Sequence, residues 1–310
     1  MTQSNKKIYS TVVNTFRIMV LSFFILSQGE VSAKVEGSQQ FKMIVAGYNH
    51  TCAIDLQDLV QCWGLNSIGQ TNVPKDLGKV KSISTGYYHT CAITFQDEAR
   101  CWGINGYGES EVPDALKKVK AIALGHSHTC AIDSQDLVQC WGSNFFEQIE
   151  VPNYIGKVKE IAVGEFHNCI INKQDQARCW GYNGYRQSSV PNKTLELKSI
   201  KAGSYHTCSL DQQDKVNCWG DKSYDENNGS RIPAIATQLT SKGYHSCAVD
   251  IKGKAHCWGY NSCGQLDVPQ TLTKVKNISA GVFHTCAIDE QNKAHCWGSN
   301  KYGQITIPNL

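Results

Sequence analysis

The chain has 310 residues, more than one ordinary core holds, yet its seven Trp recur at 63, 102, 141, 180, 219, 258 and 297. Hydrophobic residues make up 41% and charged ones 18%, which excludes both a disordered chain and a membrane bundle. The formal charge is +3; without residues 1–33, which hold Lys6, Lys7, Arg17 and Glu30, 27 basic and 26 acidic residues remain. That balance argues against nucleic acid as a partner, since binding phosphates takes a large positive excess.

Lys6, Lys7 and Arg17 precede the apolar run Ile18–Leu26, and Val31-Ser32-Ala33 supplies small residues where a signal peptidase reads. The run is too short to span a hydrocarbon core, which takes roughly 20 residues. Residues 1–33 are therefore expected to be a signal peptide, with a mature chain starting near Lys34. An uncleaved N-terminal anchor, extended by Val12 and Val13, is the alternative. No second apolar stretch follows, so the mature chain is expected to be free of the membrane, secreted or periplasmic, and monomeric.

From residue 38 onward the sequence is seven units: 38–76, 77–115, 116–154, 155–193, 194–232, 233–271 and 272–310, giving a repeat domain over 34–310. Cys52, Cys91, Cys130, Cys169, Cys208, Cys247 and Cys286 each have a partner ten residues on, at Cys62, Cys101, Cys140, Cys179, Cys218, Cys257 and Cys296. No stretch carries the helical period. Short β-rich segments between Gly, Asn, Asp and Pro read as three antiparallel strands per unit, with a possible fourth near Val112. A period near 40 residues with one Trp per unit indicates an all-β, seven-bladed propeller.

Placing Cys52 opposite Cys62 leaves Leu56-Gln57-Asp58 as a three-residue hairpin loop, whose third position needs a left-handed residue. Asp58, Asp97, Asp136, Asp175, Asp214, Gly253 and Asn292 fill it, all residue types that tolerate positive φ. The agreement predicts one cross-strand disulfide in each blade, at a non-hydrogen-bonded pair, and leaves Cys263 as a free thiol. Metal-binding thiolates would want CxxC-like spacing. His50 and its equivalents sit on separate blades, too far apart to share a metal, and are expected to satisfy backbone groups at a strand start. The Asp55/Asp58 pattern is turn chemistry and not a calcium loop. No metal, cofactor or catalytic constellation is expected.

The string Gly47-x-x-His50-Thr51-Cys52-Ala53-Ile54, then Cys62-Trp63-Gly64-x-Asn66-x-x-Gly69-Gln70-Thr71-Asn72-Val73-Pro74, resembles the regulator-of-chromosome-condensation repeat superfamily. It is more narrowly similar to the secreted type II β-lactamase-inhibitory proteins. The cysteine pairs depart from that inhibitor pattern, as do Lys222 for Asn and Glu147, Arg186 and Asp225 for Gly. The resemblance implies a protein-binding propeller. Nuclear members of the superfamily act as nucleotide-exchange factors for a small GTPase, which makes such exchange the alternative function.

In an antiparallel blade the loops after the first and third strands emerge on one face. They carry Tyr48, Tyr87, Tyr88, Tyr107, Phe145, Phe146, Phe166, Tyr182, Tyr185, Tyr205, Tyr224, Tyr244, Tyr260, Phe283 and Tyr302, together with Ile68 and His126. Such aromatics anchor protein interfaces. The residues five after each Trp are expected to be the ones most engaged in packing between blades. The opposite face interleaves Lys79, Lys81, Lys118 and Lys120 with acidic turns and reads as solvated. The hub is expected to be crowded by small residues: Ala46, Ser84, Ala123, Ala162, Ala202 and Ser279. The expectation is an exported, non-enzymatic propeller that docks on or occludes a protein, with lectin-like sugar binding as a further alternative. Between Trp219 and Pro233 the fifth unit carries an acidic, lengthened loop, and Tyr205, Tyr224, Asp225, Glu226 and Tyr244 are expected at the centre of the interface.

Overall fold

A computed structural model describes residues 39–191, 196–223 and 235–308. The expected signal peptide, and Tyr224, Asp225 and Glu226 of the long loop, lie outside these residues. The first unit folds into an inner strand Phe41–Ala46, a middle strand His50–Asp55 and an outer strand Val60–Gly64. Six further units repeat this antiparallel three-stranded sheet, ending with Val275–Ala280, His284–Asp289 and Ala294–Gly298. No fourth strand forms at Val112. That residue runs into Pro113, which cannot donate to a ladder, and instead packs against the cluster holding Leu116 and Trp141.

The register is the one the cysteines imply. Cys52 faces Cys62, Asp55 N donates to Leu59 O at 3.0 Å, and the third loop residue takes positive φ in all seven blades, from 61° at Asp175 to 82° at Gly253. Asp55 Oδ1 accepts the Gln57 and Leu59 amides at 2.8 and 2.9 Å, so this carboxylate is consumed by the turn. Seven disulfides close the middle strand onto the outer one, with Cα atoms 4.0 to 4.1 Å apart. The outer strand has a neighbour on one side only, so a short-loop bridge worth about 2–3 kcal/mol bears directly on the sheet's weakest member.

The apolar core lies between blades. Cys52 and Ile54 of blade one pack against Leu77, Val80, Ile83, Ala92 and Trp102 of blade two, and the same cluster recurs around the ring. A polar latch accompanies each core. His50 Nε2 meets Thr90 Oγ1 of the next blade at 3.0 Å, and Thr90 Oγ1 donates onward to Gln70 O at 3.0 Å. Trp102 Nε1 donates to that same carbonyl at 3.1 Å. Histidine-to-next-blade bonds of 2.8 to 3.0 Å occur at all seven junctions. The last joins His284 to Thr51, so the ring closes through the contact used everywhere else. The imidazoles thus bond side chains of the neighbouring blade, where backbone partners were expected from sequence.

The latch also fixes the tautomer. Because the threonine hydroxyl spends its proton on a carbonyl, the imidazole must donate through Nε2–H. In blade four Asn168 stands in place of threonine. Its Oδ1 accepts from His128 at 2.9 Å while its Nδ2 donates to Gln148 O at 2.6 Å, the same sense of donation. In His50, His89, His128, His167, His245 and His284 the Nδ1 is then a bare, buried acceptor. Gly47 borders it, and a Cβ there would sit 2.5 Å from His50 Cε1, which explains the glycine three residues before His50.

Fourteen of the 15 cysteines are bridged, leaving Cys263 exposed. Thiol titration of the denatured, unreduced protein should therefore find one reactive group. Peptide mapping should show every bridge joining cysteines ten residues apart; three or more free thiols would contradict this pairing.

Candidate functional site: an aromatic face above a plugged hub

Backbone bonds place the loops after the inner and outer strands on one face: Leu65 N donates to Asn49 O at 2.8 Å, and Ile104 N to Tyr88 O at 3.0 Å. The outer-strand loop is built by its own side chains. Asn66 Oδ1 accepts Thr71 N at 3.1 Å, Asn66 Nδ2 donates to Asn72 Oδ1 at 2.7 Å, and Gln70 Oε1 accepts Ile68 N at 3.1 Å. This scaffold rests on the Asn, on the Gln (Glu109 in blade two) and on a left-handed residue just before it. The other positions between them vary, and there the aromatics stand.

Most of the predicted aromatics form one chain of ring contacts. From Phe283 it runs to Tyr48 (5.3 Å), and Tyr87 and His126 follow at 5.2 and 4.8 Å. His126 meets Phe166 at 5.6 Å, Phe166 meets Phe146 at 5.2 Å, and Phe146 meets Tyr182 at 4.9 Å. Tyr182, Tyr205, Tyr244 and Tyr260 continue it at 6.1, 5.7 and 6.2 Å. Tyr185 joins at Tyr205, and Tyr88 packs on Tyr48. Tyr107 pairs with Phe145 further out. Tyr302 stands exposed on blade seven with the Lys301 ammonium over its ring.

Two expectations change. The residues five after Trp (Ile68, Tyr107, Phe146, Tyr185 and Tyr302) are exposed and do not fill the gaps between blades. Trp itself and the aliphatic strand residues already fill those gaps. Tyr87, in contrast, is only 6% exposed. Its hydroxyl reaches Glu165 Oε2 at 2.8 Å and Ser204 Oγ at 2.7 Å, so it serves as a strut across blades two, four and five.

The hub is also less uniform than expected. The expected Ala46, Ser84, Ala123, Ala162, Ala202 and Ser279 line an axial cavity of about 410 Å³, but Val45, Thr240, Lys201 and Lys242 line it as well. A carboxylate meets the cavity-lining Lys201. Glu160 pairs with Lys201 and also accepts from Ser199 Oγ and Ile200 N at 3.1 and 3.3 Å, which ties blade four to blade five. Lys242 stands where other repeats carry the histidine-bordering glycine. It extends the inner strand of blade six to Ala236–Lys242 and donates to Thr85 O of blade two. With Tyr87 and Glu165 it lines the narrow void at the aromatic end of the hub. On the far face Lys81, Lys120 and Lys276 pair with Asp97, Asp136 and Asn292, a solvated border as expected.

Seven three-stranded blades around an axial hub, with varied aromatics on one face, define a seven-bladed β-propeller with a candidate interaction face. The chain belongs to the regulator of chromosome condensation (RCC1) repeat family, matched over residues 42–70, 80–109, 119–148, 158–187, 197–226, 236–265 and 275–304. No curated protein sequence matches it. Among solved structures it is similar to the ectodomain of the Physcomitrella patens receptor kinase CR4: 24% identity, TM-score 0.71, covering 84% of this chain and 74% of that one. The ectodomain of the Arabidopsis thaliana receptor kinase ACR4 has 23% identity and TM-score 0.65, with 84% and 98% covered. Saccharomyces cerevisiae Prp20p has 17% identity and TM-score 0.68, with 88% and 85% covered. These likenesses concern the fold.

Burial shapes the titration of this fold. Desolvation lowers His50, His167, His245 and His284 to about 3 and His128 to about 4, and takes His89 well below its ordinary value. The unfolded chain therefore binds more protons than the folded one below about pH 6.5. Stability from this source is full above that pH and is lost as pH falls toward 3. Desolvation lowers Lys242 to about 7 from 10.5, so stability should also rise between those two values, where the unfolded lysine holds a proton the folded one has shed. Melting temperatures measured across pH should fall steadily below about pH 6.5 and climb modestly from about pH 7.5 to 9. Lys242→Met should remove the alkaline climb and leave the acid loss; an unchanged alkaline climb in that variant would contradict the assignment.

Proposed function

We propose that this protein is an exported, disulfide-stapled propeller that binds a partner protein through its aromatic face and acts by docking or occlusion, without chemistry of its own. The observation that carries the reading is the chain of ring contacts from Phe283 to Tyr260, with exposed aromatics beside it. Tyr and Phe supply large contact area at small entropic cost, and the hub beneath is braced by Tyr87, Glu165, Ser204 and Lys242. Seven disulfides favour an oxidising compartment, in keeping with the leader read over residues 1–33. Among the similar structures, Prp20p is described with binding to Gsp1p and histones, and the two receptor kinases present this fold as an ectodomain.

The test is capture of the partner from the surroundings of the producing cell, identification by mass spectrometry, and titration against Tyr205→Ala and Tyr244→Ala. Both residues are half-buried in the ring chain, so each truncation should weaken binding about thirtyfold, or ~2 kcal/mol, if it is a true anchor. Wild-type affinity in both variants would move the interface off this arc. A glycan array giving strong signal where no protein is captured would favour sugar binding instead.

A further inference from the structure

The aromatic face is not uniform in charge. The loops after the inner and outer strands of blades one to three (47–49, 86–88, 125–127, 64–74, 103–113 and 142–152) contain no Lys or Arg. They do contain Glu109, Glu111, Glu147 and Glu150. Glu111, Glu147 and Glu150 are exposed and form no ion pair among the described residues. His126, the one ionisable base there, is held toward its neutral form by desolvation.

The most exposed aromatics of the ring-bearing loops share this sector. Phe145 is 75% exposed and Tyr107 55%, and their rings meet edge to face at 5.5 Å across the junction of blades two and three. Phe145 breaks its column, in which the other repeats place Ser67, Gly106, Gly184, Ser223, Ser262 and Lys301. Packing does not require it, since Phe146 already supplies the contacts to Phe166 and Tyr182. Two residues on, Glu147 takes φ 59° where Gly69, Gly108, Gly264 and Gly303 stand in other loops. Blade three thus holds a left-handed glutamate beside an exposed phenylalanine. Strained backbone and exposed apolar surface both run against stability and are features of working surfaces.

Resting on the aromatic-face reading, we propose that Tyr107, Phe145, Glu111, Glu147 and Glu150 form the docking site for a lysine- or arginine-bearing segment of the partner protein. A guanidinium or ammonium would lie against the ring faces of Tyr107 and Phe145, its stem on their apolar edges and its charge met by the surrounding carboxylates. Glu150 is already oriented, its Oε1 accepting from Asn144 Nδ2 at 2.9 Å. The occupant is cationic because every ionised group of this sector is an acid.

The probe is a fluorescein-labelled peptide of alternating glycine and arginine, followed by anisotropy beside its glycine–glutamate counterpart. The arginine peptide should bind and weaken as salt rises; the glutamate peptide should not bind. Phe145→Ser and Glu147→Gly restore the residues other repeats use, so both should fold, the second with an unchanged or higher melting temperature. Phe145→Ser should weaken the arginine peptide about tenfold and Glu147→Gly roughly threefold, while Tyr302→Ala on blade seven should leave it unchanged. Equal binding of the two peptides, or wild-type affinity in Phe145→Ser, would overturn the proposal. If an identified partner then loses affinity with Tyr205→Ala but not with Phe145→Ser, the aromatic face stands and this sector falls. If neither substitution matters, both readings fall.

Discussion

The hydrogen bond from each buried imidazole to the next blade's hydroxyl or amide is the constraint on which the rest of this structure depends. A three-stranded blade exposes apolar surface on both faces and cannot stand alone, so stability rests on the junctions. At six junctions a Thr or Asn joins the preceding blade's histidine to a carbonyl of that blade's outer loop, and Trp donates to the same carbonyl, while at the remaining one His206 meets Ser246. Three elements of two blades are thereby fixed in one dry network. A buried network of this kind is costly when incomplete, because each orphaned group keeps its desolvation penalty. That cost explains why the polar atoms recur with so little change, and why the glycine beside each imidazole has one exception, Lys242, on an inner strand one residue longer than the rest.

Because the latch uses only the residue before the first cysteine, the histidine, the Trp and one loop carbonyl, it leaves the tips of the loops unconstrained. Function can be written there without disturbing the ring. Phe145 and Glu147 show that freedom: neither has a role in the junction, Phe145 stands where no other loop carries an aromatic, and Glu147, like Arg186 in blade four, replaces a left-handed glycine. The hub shows the opposite regime. Tyr87 joins Glu165 and Ser204 across three blades, and Lys242 of a fourth donates to Thr85 O nearby, giving the aromatic face a rigid floor.

The cysteine spacing and the left-handed turn residues made the blade register legible before any coordinates, because each is a local rule: Cys52 opposite Cys62 forces Asp58 into the αL position. The latch was harder to see because its partners, His50 and Thr90, are 40 residues apart and on different sheets. A signal existed. The position before the first cysteine is Thr51, Thr90, Thr129, Asn168, Thr207, Ser246 or Thr285, always able both to accept and to donate, though wholly buried. The small residues of the hub were legible because every inner strand brings one to the axis; Lys201 and Lys242 were not, since each departs from its own column and meets its partner only once the ring is closed. The aromatic face was legible as a face, since antiparallel pairing puts both sets of loops together. Which rings were struts and which were exposed depended on contacts between blades: Tyr87 is a buried strut, its sequence neighbour Tyr88 is half-buried against Tyr48, and Tyr107 is exposed.

The central claim is that six buried imidazoles, those of His50, His89, His128, His167, His245 and His284, are neutral donors through Nε2–H, each aimed at the next blade. Long-range proton–nitrogen correlation spectra of the ¹⁵N-histidine-labelled protein at about pH 8 read the tautomer of every ring directly. Six of the ten histidines, His50, His89, His128, His167, His245 and His284, should show a protonated Nε2 and a bare Nδ1. These six should keep that signature on acidification to about pH 5, where an ordinary imidazole is already charged. Protonated Nδ1 in these rings, or their titration near pH 6.5, would contradict the latch as the interaction that holds the blades together.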